Sequence, residues 1–187
     1  MLFRSVVKKL VEAGAFIKDE FFPPDFVFCT EDSPLQEACM KDHWKIVEYL
    51  MDHGAGVDPP VVGGASRYFT PISCAASHSL KMVKRMLALG ADINSDRDDH
   101  CGTALMRAVM AGKREIVEYL LRKGVRVNAF TNNGYSALEL ANQSSQKSKK
   151  QIIQLLQKRH AKTYRDLAEK YPYIHHGFGW PPPHVPE

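Results

Sequence analysis

The cysteines of this chain, which could form disulfides or bind a metal, are few and widely spaced. The four cysteines include no C-x-x-C pair and have no histidines at zinc-ligand spacing. They are Cys29, Cys39, Cys74 and Cys101. The acidic run that ends in Asp99 and His100 offers metal-ligand side chains, but such charges are also ordinary in exposed loops. We therefore predict no metal site and no disulfide framework, and we expect a reducing, intracellular compartment.

The short motifs that mark common catalytic sites are also missing. The sequence contains no G-x-S-x-G, no G-x-x-x-x-G-K-[ST] phosphate loop and no H-E-x-x-H zinc motif. It contains no apolar run of the roughly 18 residues that a membrane-spanning helix needs. We expect a protein that is not an enzyme, needs no cofactor and does not enter a membrane.

The elements that must position any functional side chain are clearest in residues 102–130. Thr103 is a good helix N-cap, and Leu105, Ala108 and Val109 after it share one helical face. Gly112 lets the chain leave that helix in a left-handed conformation. A second apolar stripe, residues 116–121, predicts an antiparallel second helix.

The second helix is predicted to stop at Gly124, where two cations precede the glycine and suit the negative end of the helix. Residues 125–130 are partly β-branched and lead to the turn-forming residues 131–134, so we expect them to be an extended finger. The unit is therefore helix, turn, helix and finger.

This unit recurs along the chain. Residues 33–58, 70–94 and 134–156 follow the same order, and a partial copy ends at Ile17. The glycines that end the second helices are 40, 36 and 34 residues apart, at Gly14, Gly54, Gly90 and Gly124. The unit resembles an ankyrin repeat, which begins with T-P-L-H-x-A and has a period of about 33 residues. The resemblance covers roughly residues 1–157.

The resemblance implies an all-α repeat stack, an α-solenoid of about four full or partial helix-turn-helix units with β-hairpin fingers and a C-terminal capping helix. We expect a degenerate partial repeat at 1–18, an insertion loop at 19–32, a repeat at 33–58 and a second insertion loop at 59–69. Three further repeats at 70–95, 99–130 and 132–160 precede a capping helix at 161–171 and a Pro- and aromatic-rich tail at 172–187.

The amino-terminal copy lacks its first helix, so its apolar face needs a cover. That cover is either chain upstream in the natural context, a partner, or the insertion at 19–32. The phenylalanines of this insertion either pack on the first helix pair or anchor a partner. We expect a monomer unless the uncovered face self-associates.

The function implied by the resemblance is a non-catalytic protein–protein interaction module, an adaptor or scaffold that binds a partner through the concave surface of its fingers and first helices. The residues that match this surface mix aromatic, methionine and polar side chains, as interfaces do. They are Met40, Lys41, Arg67, Tyr68, Phe69, His78, Asp99, His100, Met110, Phe130 and Tyr135.

Two other segments suggest different partners. Residues 143–170 hold eight Lys or Arg against two acidic residues, so the basic region 147–170 suits nucleic acid or an acidic surface, although the same charges also solvate a capping repeat. The tail residues Trp180, Pro181, Pro182 and Pro183 suit an SH3, WW or EVH1 groove, or the tail folds along its own domain.

A substrate role also follows from the resemblance. Asparagines at this finger position in ankyrin repeats can be hydroxylated by an asparagine hydroxylase, and Asn94, after Asp92 and Ile93, resembles such a site. Met86 stands where that pattern has leucine. We expect a cytoplasmic location, with a nuclear one as the alternative.

Overall fold

The computed structural model of the chain describes residues 33–58, 70–95, 102–131 and 134–166. This described part contains eight helices in four antiparallel pairs. They are α1 (Pro34–Met40), α2 (Trp44–Asp52), α3 (Pro71–His78), α4 (Leu80–Ala88), α5 (Ala104–Met110), α6 (Arg114–Arg122), α7 (Ala137–Gln143) and α8 (Lys149–Gln157). None of these helices is long and apolar enough to cross a membrane.

The inner helices α1, α3, α5 and α7 each begin at a serine or threonine that caps the first turn. The Thr103 Oγ1 accepts a 3.4 Å hydrogen bond from the Met106 backbone N–H, which confirms the predicted start of α5. Ser33 and Ser136 form reciprocal capping boxes with Gln36 and Glu139. These bonds satisfy N–H groups that no helical carbonyl can reach.

The outer helices α2, α4, α6 and α8 end in a common way. In each, the backbone N–H of the residue after the left-handed one donates a hydrogen bond to a carbonyl oxygen in the last turn. Val125, for example, donates to the Leu120 oxygen at 3.3 Å. Gly54, Gly90 and Gly124 supply the left-handed conformation after α2, α4 and α6, with φ of 84°, 95° and 79°. This confirms the predicted stop at Gly124.

The core lies between successive pairs and not around one centre. Inner helices pack on inner helices in the order α1, α3, α5, α7, while α4 packs on α6 and α6 on α8. Equivalent positions of the outer helices are almost fully buried and hold Leu50, Met86, Leu120 and Leu156. The described part therefore confirms the predicted all-α repeat stack, because each pair buries its apolar face against the next one.

The segments that follow the outer helices are linked from repeat to repeat by side-chain hydrogen bonds. The Asn94 Oδ1 accepts a 2.7 Å bond from the Arg126 backbone N–H, and the Asn128 Oδ1 accepts a 2.8 Å bond from that of Lys162. Between the first and second described repeats, an Asp58 carboxylate oxygen accepts a hydrogen bond from the Asp92 backbone N–H. We call these three bonds the loop ladder.

Residues 125–130 were expected to be extended, but they are not extended throughout. Residues 127–128 instead form a turn, from which the Asn128 side chain bonds to the Lys162 backbone N–H. Within the described residues, the only β-type pairing is an isolated antiparallel bridge between Phe130 and Ser136.

The connections between inner and outer helices differ in length. Ser77 and His78 both belong to α3, and Ser79 alone joins α3 to α4. Ser79 is both the C-cap of α3 and the N-cap of α4, where its Oγ accepts from the Met82 N–H at 3.3 Å. Its extended backbone, with φ of −152°, reverses the chain in a single residue.

The segment after α8 continues the repeat pattern for a few residues. His160 occupies the place of the glycine in the earlier repeats and has φ of 55°. Residues 164–166 are helical, and Thr163 and Asp166 exchange backbone-to-side-chain bonds of 2.8 and 3.2 Å. Hydrogen bonds from the backbone and the side chain of Thr163 to the Asp166 carboxylate lower the pKa of Asp166. The remainder of the expected capping helix lies outside the described residues.

Candidate functional site

Three of the predicted contact residues occupy equivalent positions in successive repeats. Met40, His78 and Met110 are each the last residue of an inner helix, and these three helices pack in sequence. Met40 is 37% exposed and Met110 is 47% exposed, although the helices that carry them are otherwise largely buried. We call these three residues the inner-helix row. It is a surface on which apolar side chains face solvent from a rigid support.

The middle of the inner-helix row is fixed by an aromatic contact between repeats. The His78 ring stacks on Trp44 with centroids 3.9 Å apart and planes within 8° of parallel. Trp44 is the first residue of α2, so the contact joins the turn of one repeat to the inner helix of the next. The contact between Trp44 and His78 could not be predicted from the sequence, because it depends on how two repeats stack.

The stack also affects the charge of His78. Burial of part of the ring lowers the pKa of His78, since the charged form loses hydration. Asp42 opposes this effect, Lys113 adds to it, and Glu48 opposes it more weakly. The neutral imidazole is therefore favoured, and it can act as either donor or acceptor towards a partner.

Lys41 follows Met40 and is exposed. Its ammonium group forms an ion pair with Glu37 one helical turn earlier. Such an exposed pair contributes little to stability, so Lys41 remains accessible to a partner.

The predicted finger residues Phe130 and Tyr135 lie at the other end of the repeat. Tyr135 is 41% exposed, whereas Phe130 is half-buried. The Phe130 ring meets the Tyr164 ring edge to face, with centroids 5.7 Å apart. The Tyr164 backbone N–H also bonds to the Glu139 carboxylate at 3.2 Å. Phe130 thus packs the segment after α8 against the last repeat, and Tyr135 is the more accessible of the two.

The predicted contact residues therefore form two groups and not one cluster. The inner-helix row lies at the carboxyl ends of the inner helices, and Tyr135 precedes the amino end of α7. A seven-residue helix such as α7 is about 10 Å long, which separates the two groups. Arg67, Tyr68, Phe69, Asp99, His100 and the tail residues 180–183 lie outside the described residues.

Asn94 has a structural role that accounts for its side chain. Besides its place in the loop ladder, its backbone oxygen accepts a 2.8 Å bond from the Arg126 guanidinium. Asn94 is half-buried, and its own N–H bonds to the Asp92 carboxylate at 2.9 Å. Hydroxylation of Asn94 stays a prediction.

The described residues show how the cysteines are used. Cys39 and Cys74 are buried in neighbouring inner helices. Burial raises the pKa of Cys39 well above its ordinary value, so the thiol is protonated and behaves as a small apolar group. In the described ranges no three His, Cys, Asp or Glu residues are grouped as a metal ion would require.

Comparison with known proteins agrees with this architecture. A family model described as ankyrin repeats (3 copies) matches residues 3–97 and 95–166, which is most of the chain.

Several curated relatives share the same region. The "Ankyrin repeat and KH domain-containing protein mask-1" of Caenorhabditis elegans is 28% identical over 138 residues, covering 73% of this chain and 5% of the relative. The "Ankyrin repeat and SAM domain-containing protein 6" of Rattus norvegicus is 40% identical over 72 residues, covering 38% and 8%. Human "Palmitoyltransferase ZDHHC17" is 32% identical over 165 residues, covering 71% and 26%. The chain thus spans a small part of each relative.

Proposed function

The chain belongs to the ankyrin repeat family, and on this premise we propose that it is a non-catalytic adaptor or scaffold that binds a partner protein through its concave surface. Ankyrin repeats indicate a protein–protein interaction module. The partner surface that we propose combines the inner-helix row with Lys41 and Tyr135, and it extends to the predicted residues Arg67, Tyr68, Phe69, Asp99 and His100.

The observation that supports this proposal most directly is the exposure of Met40 and Met110. Both are the last residue of an inner helix whose other apolar residues are buried. Methionine is enriched at interfaces because its flexible, polarisable side chain adapts to different apolar partners. Their support is rigid, so binding costs little ordering of the backbone.

The test is affinity capture from cell extract, followed by identification of the captured proteins. Met40→Gln with Met110→Gln should remove the specific partner, because each substitution replaces an apolar contact by an amide. Leu89→Gln is the matched control, since Leu89 is 49% exposed but lies after outer helix α4. A third variant changes Arg67, Tyr68 and Phe69 to alanine.

Loss of one captured protein from the methionine variant, with retention by the Leu89 variant, supports the inner-helix row as the contact. Loss from the triple variant extends the contact to the second insertion. Capture that survives both sets of changes overturns the concave surface as the binding site.

A further inference from the structure

The charges of this chain are divided unevenly along its length. Residues 1–100 contain 11 Lys or Arg against 15 Asp or Glu, whereas residues 101–187 contain 14 against 6. The first part has a net charge of −4 and the second a net charge of +8, which together give the +4 of the whole chain. A negatively charged partner would therefore be attracted to the carboxyl-terminal repeats.

The positive charge is concentrated on the outer helices of the last two described repeats. It falls in two groups, one at the amino ends of α6 and α8 and one at their carboxyl ends. The first group is Lys113, Arg114, Lys147 and Lys150, and the second is Arg122, Lys123, Lys158, Arg159 and Lys162; all nine are exposed. We call these nine residues the convex basic face. Arg114 and Arg122 are eight residues apart on α6, so the two groups are separated by about 12 Å.

The cations of the earlier outer helices form ion pairs between repeats. Lys81 bonds to Glu48 at 2.9 Å and Arg85 pairs with Asp52, so α2 and α4 are joined by two ion pairs. Within the described residues, none of the ion pairs involves a cation of the convex basic face. The like charges of α6 and α8 repel each other, which opposes folding.

Helix stability explains only half of the arrangement. Cations at the carboxyl end of a helix interact favourably with its dipole, so the second group has a structural reason. The first group lies at the positive ends of α6 and α8, where cations are unfavourable. Neither Lys113 nor Ser148, the N-caps of these helices, caps its helix through a side-chain hydrogen bond. Glu115 places a carboxylate in the first turn of α6, whereas the first turn of α8 has no acidic residue. An external anion would compensate the charge at the amino end of α8.

The strip between the two groups distinguishes between kinds of anion. It holds Gln151 and Gln154 on α8 and the acidic residues Glu115 and Glu118 on α6, so the positive track is interrupted. Tyr119 is half-buried, and the ammonium groups of Lys84 and Lys123 lie 5.4 and 5.9 Å from its ring centre. A nucleic acid favours a continuous basic groove with stacking aromatic side chains. Discrete carboxylates fit the interrupted track better.

We propose that the convex basic face is a second docking surface, and that it binds an acidic protein segment whose carboxylates fall in two clusters about 12 Å apart. This goes beyond the partner proposed for the concave surface, because the acidic segment is recognised by the charges of the outer helices α6 and α8 and not by exposed methionines.

The probe is a fluorescein-labelled, alanine-rich helical peptide with one pair of glutamates near each end, about 12 Å apart. Its binding to the full chain is measured by fluorescence anisotropy at low salt. A peptide of the same composition with all glutamates at one end tests the spacing, and a labelled DNA duplex tests the nucleic-acid alternative.

Lys113→Gln with Arg114→Gln removes charge from the first group, and Lys158→Gln with Arg159→Gln removes charge from the second. Lys41→Gln with Lys45→Gln is the matched control on the first described repeat.

We expect saturable binding of the spaced peptide, with affinity reduced about fivefold or more by each of the two surface variants and much less by the control. Raising the salt concentration should weaken binding in the same direction. The Met40 and Met110 variant should bind the peptide like the wild type, so this test is independent of the concave partner. The proposal is overturned if the spaced peptide does not saturate, if only one group matters, if the control weakens binding equally, or if the DNA duplex binds more tightly.

Discussion

At the scale of single residues, His160 shows most directly how the repeat pattern constrains a side chain. It has a left-handed backbone at the place where Gly54, Gly90 and Gly124 stand in the earlier repeats. A side chain at positive φ brings Cβ close to the following carbonyl oxygen, at a cost of about 1–2 kcal/mol. The carboxyl-terminal repeat tolerates this cost because the Ala161 N–H still closes α8 on the Leu156 oxygen at 3.1 Å.

His160→Gly is therefore expected to stabilise the protein. Relief of the backbone strain outweighs the extra flexibility that glycine gives the unfolded chain, and the net gain should be about 0.5–1 kcal/mol. Urea denaturation followed by circular dichroism measures it.

Gly124→Ala is the reverse control, with an expected loss of about 1 kcal/mol. A Cβ at Gly124 would meet no atom within 4 Å, so this loss isolates the backbone effect. If His160→Gly destabilises the protein instead, the left-handed conformation of His160 is not the source of strain.

The pH dependence of stability should report on His78. Burial against Trp44 lowers the pKa of His78 in the folded protein, so folding favours the neutral ring. Its contribution is fully present above the unfolded pKa of about 6.5 and is lost as pH falls through the lower folded value.

The measurement is the free energy of unfolding of the wild type and of His78→Gln at several pH values between 7.5 and 5. The difference between the two proteins should shrink as the solution becomes acidic. A difference that grows at low pH would contradict the lowered pKa of His78. Matched curves would show that the ring does not contribute.

At the scale of elements, the loop ladder makes a distinct prediction. Asn94→Ala removes the oxygen that accepts the hydrogen bond from the Arg126 backbone N–H. It should lower the free energy of unfolding by about 1 kcal/mol. Asn94→Asp keeps an acceptor oxygen, and Asp58 already performs this task one repeat earlier. The aspartate variant should therefore lose much less stability than the alanine variant.

Thermal or urea denaturation of both Asn94 variants decides this point. Asn128→Ala should resemble Asn94→Ala, because Asn128 bonds to Lys162 in the same geometry. Equal losses for Asn94→Ala and Asn94→Asp would mean that the amide nitrogen matters more than the oxygen, contrary to the ladder.

Much of the element structure is local and could be predicted from the sequence. Thr103 caps α5 and Gly124 ends α6 because a hydroxyl acceptor and a residue without Cβ suit those backbone positions wherever they occur. The turn at 127–128 could not be predicted in this way, because it depends on the contact of Asn128 with the next repeat. Ser79 was equally hard to foresee, since one residue caps two helices only when their packing permits it.

The candidate site was predictable to a different degree. The positions of Met40 and Met110 follow from matching helix ends between repeats, and both are exposed in the structure. The stack of Trp44 on His78 is a contact between residues in different repeats, and helical periodicity carries no information about it. Charge counts show the basic region after residue 147, but the share of α6 in the convex basic face appears only when the outer helices are placed side by side.

At the scale of the whole molecule, stability is distributed between neighbouring pairs of helices, so the position of a cavity in the stack should decide how far its effect spreads. Leu120 and Leu156 are a matched pair, because both side chains are fully buried. In each case the backbone carbonyl accepts the hydrogen bond that ends an outer helix. Replacing either by alanine should cost about 2–5 kcal/mol. Leu120 lies in α6, which packs on α4, α5 and α8, whereas α8 packs on α6 and α7.

Hydrogen–deuterium exchange with mass spectrometry should separate the two substitutions. Leu120→Ala should raise exchange from α3 to α8, because it weakens the interfaces on both sides of the third described pair. Leu156→Ala should raise exchange in α7 and α8 and leave α1 to α4 protected. If both variants raise exchange uniformly over all described helices, the stack unfolds as one cooperative unit, and coupling between pairs exceeds the stability of any single pair.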